Sequence, residues 1–235
     1  MLLLFPLLAT AILITIKSPF LARSNNLFIV LLSLFAILLS LRCKQKAGPG
    51  TAEHLKSVTA AVDDKPLLDA DKNPGNWLSD GRHYSEDQFR SLDQATKENV
   101  NKLGLPWSLD PGFKRVEATP IVVDGIMFIS GAWIKVYAID ARTGQLMWTY
   151  DPKVPGRFGM KACCDVLNQG AVLCKGKVYA GTLDGRLIAS NAVDGKPVWE
   201  VLTVDTTKYY TITSASRVMK GKIIIRNGCA EFVVR

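Results

Sequence analysis

The sequence has 235 residues, 48% of them apolar and 21% charged, with a formal net charge of +8. That apolar content excludes an intrinsically disordered chain, and the length suits one or two domains. The charge is uneven: residues 1–46 carry Lys17, Arg23, Arg42, Lys44 and Lys46 and no acid, leaving 24 basic and 21 acidic side chains on the rest. A body this close to balance gives electrostatic binding of nucleic acid little support, so no nucleic-acid partner is expected.

In chain order, residues 1–16 and 27–41 are uncharged apolar runs, separated by Lys17 and Arg23 and followed by Arg42, Lys44 and Lys46. A spanning helix takes about 20 apolar residues and a signal h-region roughly 7–15. Two readings stay open: a membrane hairpin with a cytoplasmic connector, or one long leader whose second run is the h-region. A buried core helix is a third. Residues 1–46 are therefore expected to be a hydrophobic leader or membrane anchor, with export of the remainder. Cys43 follows Leu-Arg, the wrong context for a lipoprotein signal. Residues 47–75, with Gly48-Pro-Gly50, read as a linker. Residues 96–103 read as a short helix stopped by Gly104, and Leu105-Pro-Trp107-Ser-Leu as a lone strand.

Beyond Leu105 the pattern becomes short β-type runs between Gly-containing turns. Pro120-Ile-Val-Val-Asp124-Gly125-Ile-Met-Phe128 matches Ala171-Val-Leu-Cys-Lys175-Gly176-Lys-Val-Tyr179 at a shift of 51 residues. Val136-Tyr-Ala-Ile-Asp140-Ala-Arg-Thr-Gly144-Gln-Leu-Met-Trp148 matches Leu187-Ile-Ala-Ser-Asn191-Ala-Val-Asp-Gly195-Lys-Pro-Val-Trp199 at the same shift. A third unit opens at Val218-Met-Lys-Gly221. A period near 50 with four strands per unit predicts propeller blades. Asp140 and Asn191 are expected to cap their turns, and the glycines to supply positive φ. Trp148 and Trp199 are expected to pack between neighbouring blades. A sandwich with a duplicated hairpin is the alternative. In a propeller, the lone strand around Trp107 would complete the last blade.

Cys163-Cys164 is the sharpest local feature, readable as a strained vicinal disulfide or as two buried thiols. Cys174 and Cys229 are expected to be buried single thiols. There is no CxxC motif, and the only histidines are His54 and His83, so zinc and c-type haem sites are not expected within this chain. Glu117 opens the first full repeat, and Glu231 lies just past the inner strands of the third. A carboxylate near a propeller axis suits a hard cation such as calcium, and a solvated turn carboxylate is the plainer alternative.

Taken in order, Asn76-Trp-Leu-Ser-Asp-Gly-Arg-His-Tyr, Glu117-Ala-Thr-Pro, Tyr150-Asp-Pro, Cys163-Cys164-Asp-Val-Leu-Asn, Tyr210-Thr-Ile-Thr213 and Asn227-Gly-Cys-Ala-Glu231-Phe form a set. Over residues 76–235 this set resembles the N-terminal part of the periplasmic quinoprotein alcohol dehydrogenases, which use pyrroloquinoline quinone (PQQ). The resemblance implies an all-β chain: a partial eight-bladed β-propeller behind hydrophobic N-terminal helices. It implies PQQ and calcium near the axis, with Cys163 and Cys164 as a disulfide over one face of the quinone. Glu117, Thr213, Gly228 and Ala230 would contact PQQ, with Gln169 where the family has a PQQ-pairing arginine, and Glu231 would bind calcium. It further implies hydride transfer from a small alcohol to the quinone, giving an aldehyde. Electrons would pass to cytochrome c or a quinone-linked acceptor, and membrane contact would run through the N-terminal segment. Four positions depart from the family pattern. Besides Gln169, Cys229 and Val233 replace glycines, and Ser214-Ala-Ser replaces Gly-Ala-Pro. At a period of 51, residues 105–235 amount to roughly two and a half blades, whereas propellers close with about four to eight. The family's catalytic aspartate, remaining calcium ligands and aromatic floor belong to later blades. No catalytic residue is therefore assigned here, and the chain alone is expected not to oxidise alcohols. A cofactor-free propeller scaffold at the cell envelope is the competing expectation.

Overall fold

Three dipeptides, Asp124-Gly125, Lys175-Gly176 and Lys220-Gly221, set the rhythm of the chain. In each, both residues take positive φ (44° and 79°, 47° and 73°, 50° and 69°). Two successive left-handed residues form the tight turn whose twist matches an antiparallel hairpin. The computed structural model that shows this describes residues 47–112, 115–162 and 165–228. The expected leader, Cys43, Cys163, Cys164, Cys229, Ala230 and Glu231 lie outside the described residues. Among those described, no helix is long and apolar enough to cross a membrane.

The first unit comprises β1 (Ile121–Val123), β2 (Ile126–Ser130), β3 (Val136–Asp140) and β4 (Leu146–Tyr150), hydrogen-bonded in that order. The second repeats it with β5 (Val172–Cys174), β6 (Lys177–Gly181), β7 (Arg186–Asn191) and β8 (Pro197–Leu202). A third begins with the pair β9 (Arg217–Met219) and β10 (Lys222–Ile224). Every pairing is antiparallel, and the register shift after Ala138 recurs after Ala189, again 51 residues on. Each unit is thus its own up-and-down sheet and shares no hairpin with a neighbour, as blades require and a two-sheet sandwich does not.

The turn between the third and fourth strands forms as its residue types dictate. Asp140 Oδ1 accepts from the Arg142 amide at 2.9 Å, Asn191 Oδ1 accepts from the Val193 amide at 2.8 Å, and Gly144 and Gly195 take φ of 74° and 72°. Both glycines also admit an indole. A Cβ on Gly195 would stand 2.6 Å from Cε3 of Trp148, and one on Gly144 would stand 2.6 Å from Cδ2 of Trp107. The indole N–H of Trp148 donates to Ala192 O at 3.1 Å, and that of Trp107 to Ala141 O at 2.9 Å. Trp148 therefore joins the two sheets as expected. Trp199, expected to do the same, is 40% exposed on β8, whose residues are exposed throughout. Trp107 sits on the first sheet with no strand around it, because residues 103–112 have no ladder partner among the described residues. The helix expected at 96–103 shrinks to a 3₁₀ turn, Val100–Lys102. Local bonds compete with it: Asn99 Oδ1 accepts from the Thr96 amide at 2.7 Å, and Asn99 Nδ2 donates to Gln94 O at 2.8 Å.

The segment read as a linker, residues 47–75, is not one. It belongs to the same compact unit as the sheets and carries helices α1 (Ala52–Ala60) and α2 (Asp64–Leu68). Thr51 caps α1 by accepting from the His54 amide, and Leu55, Val62 and Leu67 enter the core. The arm then runs past the first two hairpin turns, and the chain beyond it reaches β9. His54 Nε2 meets Asp124 at 3.0 Å, and the amides of Lys175 and Gly176 donate to Val62 O (2.7 Å) and Thr59 O (3.0 Å). Tyr84 Oη donates to Val218 O at 3.0 Å. Helix carbonyls left over at the end of α1 are satisfied by turn amides of the second sheet, which local sequence patterning does not announce.

Candidate functional site

The short segments that lead into β1, β5 and β9 come together across the sheets. The Thr119 amide donates to Gln169 O at 3.2 Å, and the Gln169 amide donates to Thr213 O at 2.8 Å. The Gly228 amide donates to Thr211 O at 2.7 Å. Three residues singled out from the sequence, Gln169, Thr213 and Gly228, are thereby gathered, with Glu117 two residues ahead of Thr119. Glu117 and Gln169 are exposed, Thr213 and Gly228 half-buried. Among the described residues, none hydrogen-bonds or ion-pairs with the side chains of Glu117 and Gln169. A Cβ on Gly228 would lie 2.8 Å from Thr213 Oγ1, so glycine is what lets this backbone approach the hydroxyl so closely.

The segment between β4 and β5 is built to hold its place. A 3₁₀ helix, Gly156–Lys161, buries Phe158, and Lys161 Nζ donates to Thr206 O (3.2 Å) and Lys208 O (3.0 Å). The amide of Trp133 donates to Val166 O at 2.7 Å. Further on, Arg217 at the start of β9 meets Asp80 at 3.1 Å and Glu86 at 2.9 Å, which ties the approach to Thr213 to the N-terminal arm. Behind that contact Arg82, 1% exposed, donates to Asp71 and to the carbonyls of Phe89 and Ala70. Cys174 is a buried free thiol, as expected, and burial pushes its pKa up. Among the described residues no three His, Cys, Asp or Glu side chains cluster to hold a metal ion. Calcium therefore keeps its single candidate ligand, Glu231, outside them.

The gathered segments carry a carboxylate acceptor, an amide, a hydroxyl and a close-packed glycine backbone. That set of acceptors and donors can hydrogen-bond a polar, oxygen-bearing molecule. Sequence reasoning missed the residues that brace it, notably Ser130, Asn168, Arg82 and Arg217. Nothing within a few residues announces these roles, because the partners lie on other elements.

Comparison with known proteins gives one answer. The family model for PQQ glucose, ethanol and alcohol dehydrogenase β-propeller domains matches residues 77–232. A quinohemoprotein alcohol dehydrogenase, ADH-IIG of Pseudomonas putida, is 48% identical over 202 residues, covering 85% of this chain and 27% of the relative. A 1-butanol dehydrogenase (cytochrome c) of Thauera butanivorans is 51% identical over 163 residues, covering 68% and 24%. The crystal structure of the quinohemoprotein alcohol dehydrogenase of Comamonas testosteroni superposes with a TM-score of 0.73 at 47% identity, covering 79% of this chain and 28% of that one. The chain thus spans about a quarter of the length of these relatives.

Proposed function

The chain belongs to the PQQ-dependent alcohol dehydrogenase propeller family, and on that premise we propose that it supplies one wall of a PQQ site in an enzyme oxidising small alcohols to aldehydes. The observation that carries this reading is the gathering of Glu117, Gln169, Thr213 and Gly228 by bonds that step from one sheet to the next. The residues fit the group. Thr213 and Gln169 offer donors to quinone and carboxylate oxygens, Glu117 offers an acceptor, and the missing Cβ at Gly228 lets its backbone lie close against the Thr213 hydroxyl. When bound, PQQ supplies a two-electron quinone acceptor for the hydride of the alcohol carbon.

The residues of this chain bind and orient. Gln169 stands where the family has arginine, so its bond lacks the charge assistance that roughly doubles such a contact. Cys163 and Cys164 would cover one ring face, and Ala230 would add backbone contact. Glu231 would hold calcium, whose role is to polarise an oxygen as a Lewis acid. The relatives' names point to cytochrome c or a quinone as the electron acceptor. Periplasmic placement behind residues 1–46, by signal or by anchor, is supported by the two apolar runs with their basic flanks. No observation favours the cofactor-free scaffold, which has no use for a gathered Glu117, Gln169 and Thr213.

The test is a chimera joining this chain to the later blades of the Comamonas testosteroni relative, supplied with PQQ and calcium. Ethanol- or 1-butanol-dependent reduction of an electron acceptor is expected. Thr213→Ala and Glu117→Ala should each weaken PQQ binding about tenfold, the scale of one polar bond to a charged group. A folded chimera that binds no PQQ refutes the proposal.

A further inference from the structure

Four residues ahead of the inner strand of each unit stand Glu117, Asn168 and Thr213. Glu117 and Thr213 are at least partly open to solvent, whereas Asn168 is 2% exposed, its amide driven between the sheets. Ser130 Oγ, 1% exposed at the end of β2, donates to Asn168 Oδ1 at 2.5 Å. Asn168 Nδ2 donates to Gly181 O at 3.1 Å, at the end of β6. Ser130 and Gly181 are themselves repeat partners, 51 residues apart. One side chain thus bolts the first sheet to the second at equivalent places.

We propose that Asn168, held by Ser130, is a positioning residue that sets segment 165–170, and with it Gln169, for cofactor binding; the inference rests on the PQQ reading above. Three features converge on that segment. Its carbonyl at Val166 accepts from the Trp133 amide, and Trp133 and Ile134 both take positive φ, 57° and 58°. Two adjacent non-glycine residues in that region mark backbone held against its preference, a condition that persists only where the surroundings over-determine it. The next residue, Gln169, makes both cross-sheet backbone bonds, to Thr119 and to Thr213. Gly181 packs against Ile212, where a Cβ would come within 2.2 Å of Cγ2, so the carbonyl that holds Asn168 is itself fixed against the neighbour of Thr213. A buried amide with both ends engaged is expensive to disturb, because either loss strands a polar atom.

Two measurements test this. In the chain itself, amide hydrogen exchange reads the clamp directly. Asn168→Ala and Ser130→Ala should each speed exchange at Gln169 and Trp133 by about tenfold or more, with Tyr137 in β3 unchanged. In the chimera with the later blades, supplied with PQQ and calcium, Asn168→Ala should weaken PQQ binding about tenfold or more, and the double variant should lose no more than Asn168→Ala alone. Ser130→Thr, which keeps the hydroxyl, should retain affinity. Should Asn168→Ala not fold, Ser130→Ala carries both measurements. Unchanged exchange at Gln169 overturns the proposal, as does unchanged PQQ affinity in a variant whose melting temperature falls. If the unsubstituted chimera binds no PQQ, the functional reading fails and the cofactor role of Asn168 fails with it. If it binds and Asn168→Ala binds equally, only the clamp fails.

Discussion

Replacing Gly195 by alanine separates two costs that the turn imposes. At φ 72°, alanine pays the left-handed penalty, about 1–2 kcal/mol. Its Cβ would also stand 2.6, 2.8 and 3.2 Å from three ring atoms of Trp148, so the indole has to move off the turn. That movement endangers the bond from the indole N–H to Ala192 O and adds overpacking, roughly another 1–3 kcal/mol. Gly221 provides the matched control. Its φ is 69°, and an added Cβ would meet nothing within 4 Å, so Gly221→Ala carries the backbone term alone. Urea unfolding followed by circular dichroism should therefore show a loss of roughly 2–5 kcal/mol for Gly195→Ala and about 1–2 for Gly221→Ala. Equal losses would refute the docking argument and leave the indole a passenger on the turn.

Ser216 offers a gain of stability. Its hydroxyl is buried at 0% exposure with no hydrogen-bond partner among the described residues, one residue ahead of β9, where the first two units place Pro120 and Ala171. Ser216→Ala should stabilise the chain by about 1 kcal/mol, the smaller end of the cost of a stranded polar atom, and a melting temperature that stays or falls contradicts this. His83 should make the N-terminal arm pH-dependent. Its bond to Asp87 raises its pKa above the ordinary value of 6.5, with Asp71 adding to the effect and Arg82 opposing it. A raised folded pKa gives a contribution that is fully present below about pH 6.5 and is lost as pH rises through the higher value. Proteolysis within residues 76–89 should accelerate over that interval, and a flat profile would show that the pair holds nothing.

Legibility in the sequence followed locality. The three x-Gly turns, the Asp140 and Asn191 caps and the 51-residue repeat depend on residues within a few positions of one another, and all formed where expected. Trp148 was legible because its partner turn recurs at a fixed offset. The lone strand around Trp107 was half right: the indole docks on Gly144 as Trp148 docks on Gly195, without a ladder. Of the site, Glu117, Thr213 and Gly228 came from ordered motifs and Gln169 from a departure from the family pattern, since a single strand pattern says nothing of cofactors. Asn168 carried no sign of its own, because nothing within a few residues tells a buried amide from a turn cap.

The sequence by itself determined the blades, since hairpin turns, capping side chains and alternating strands are decided by backbone preferences over four to ten residues. Only the tertiary structure decided that residues 47–75 fold under the sheets, that Trp199 stands exposed, and that Asn168 closes between Ser130 and Gly181. The first and last of those outcomes depend on partners 13 to 117 positions away, where burial and unsatisfied polar groups on a distant element select one conformation among many that local preference allows.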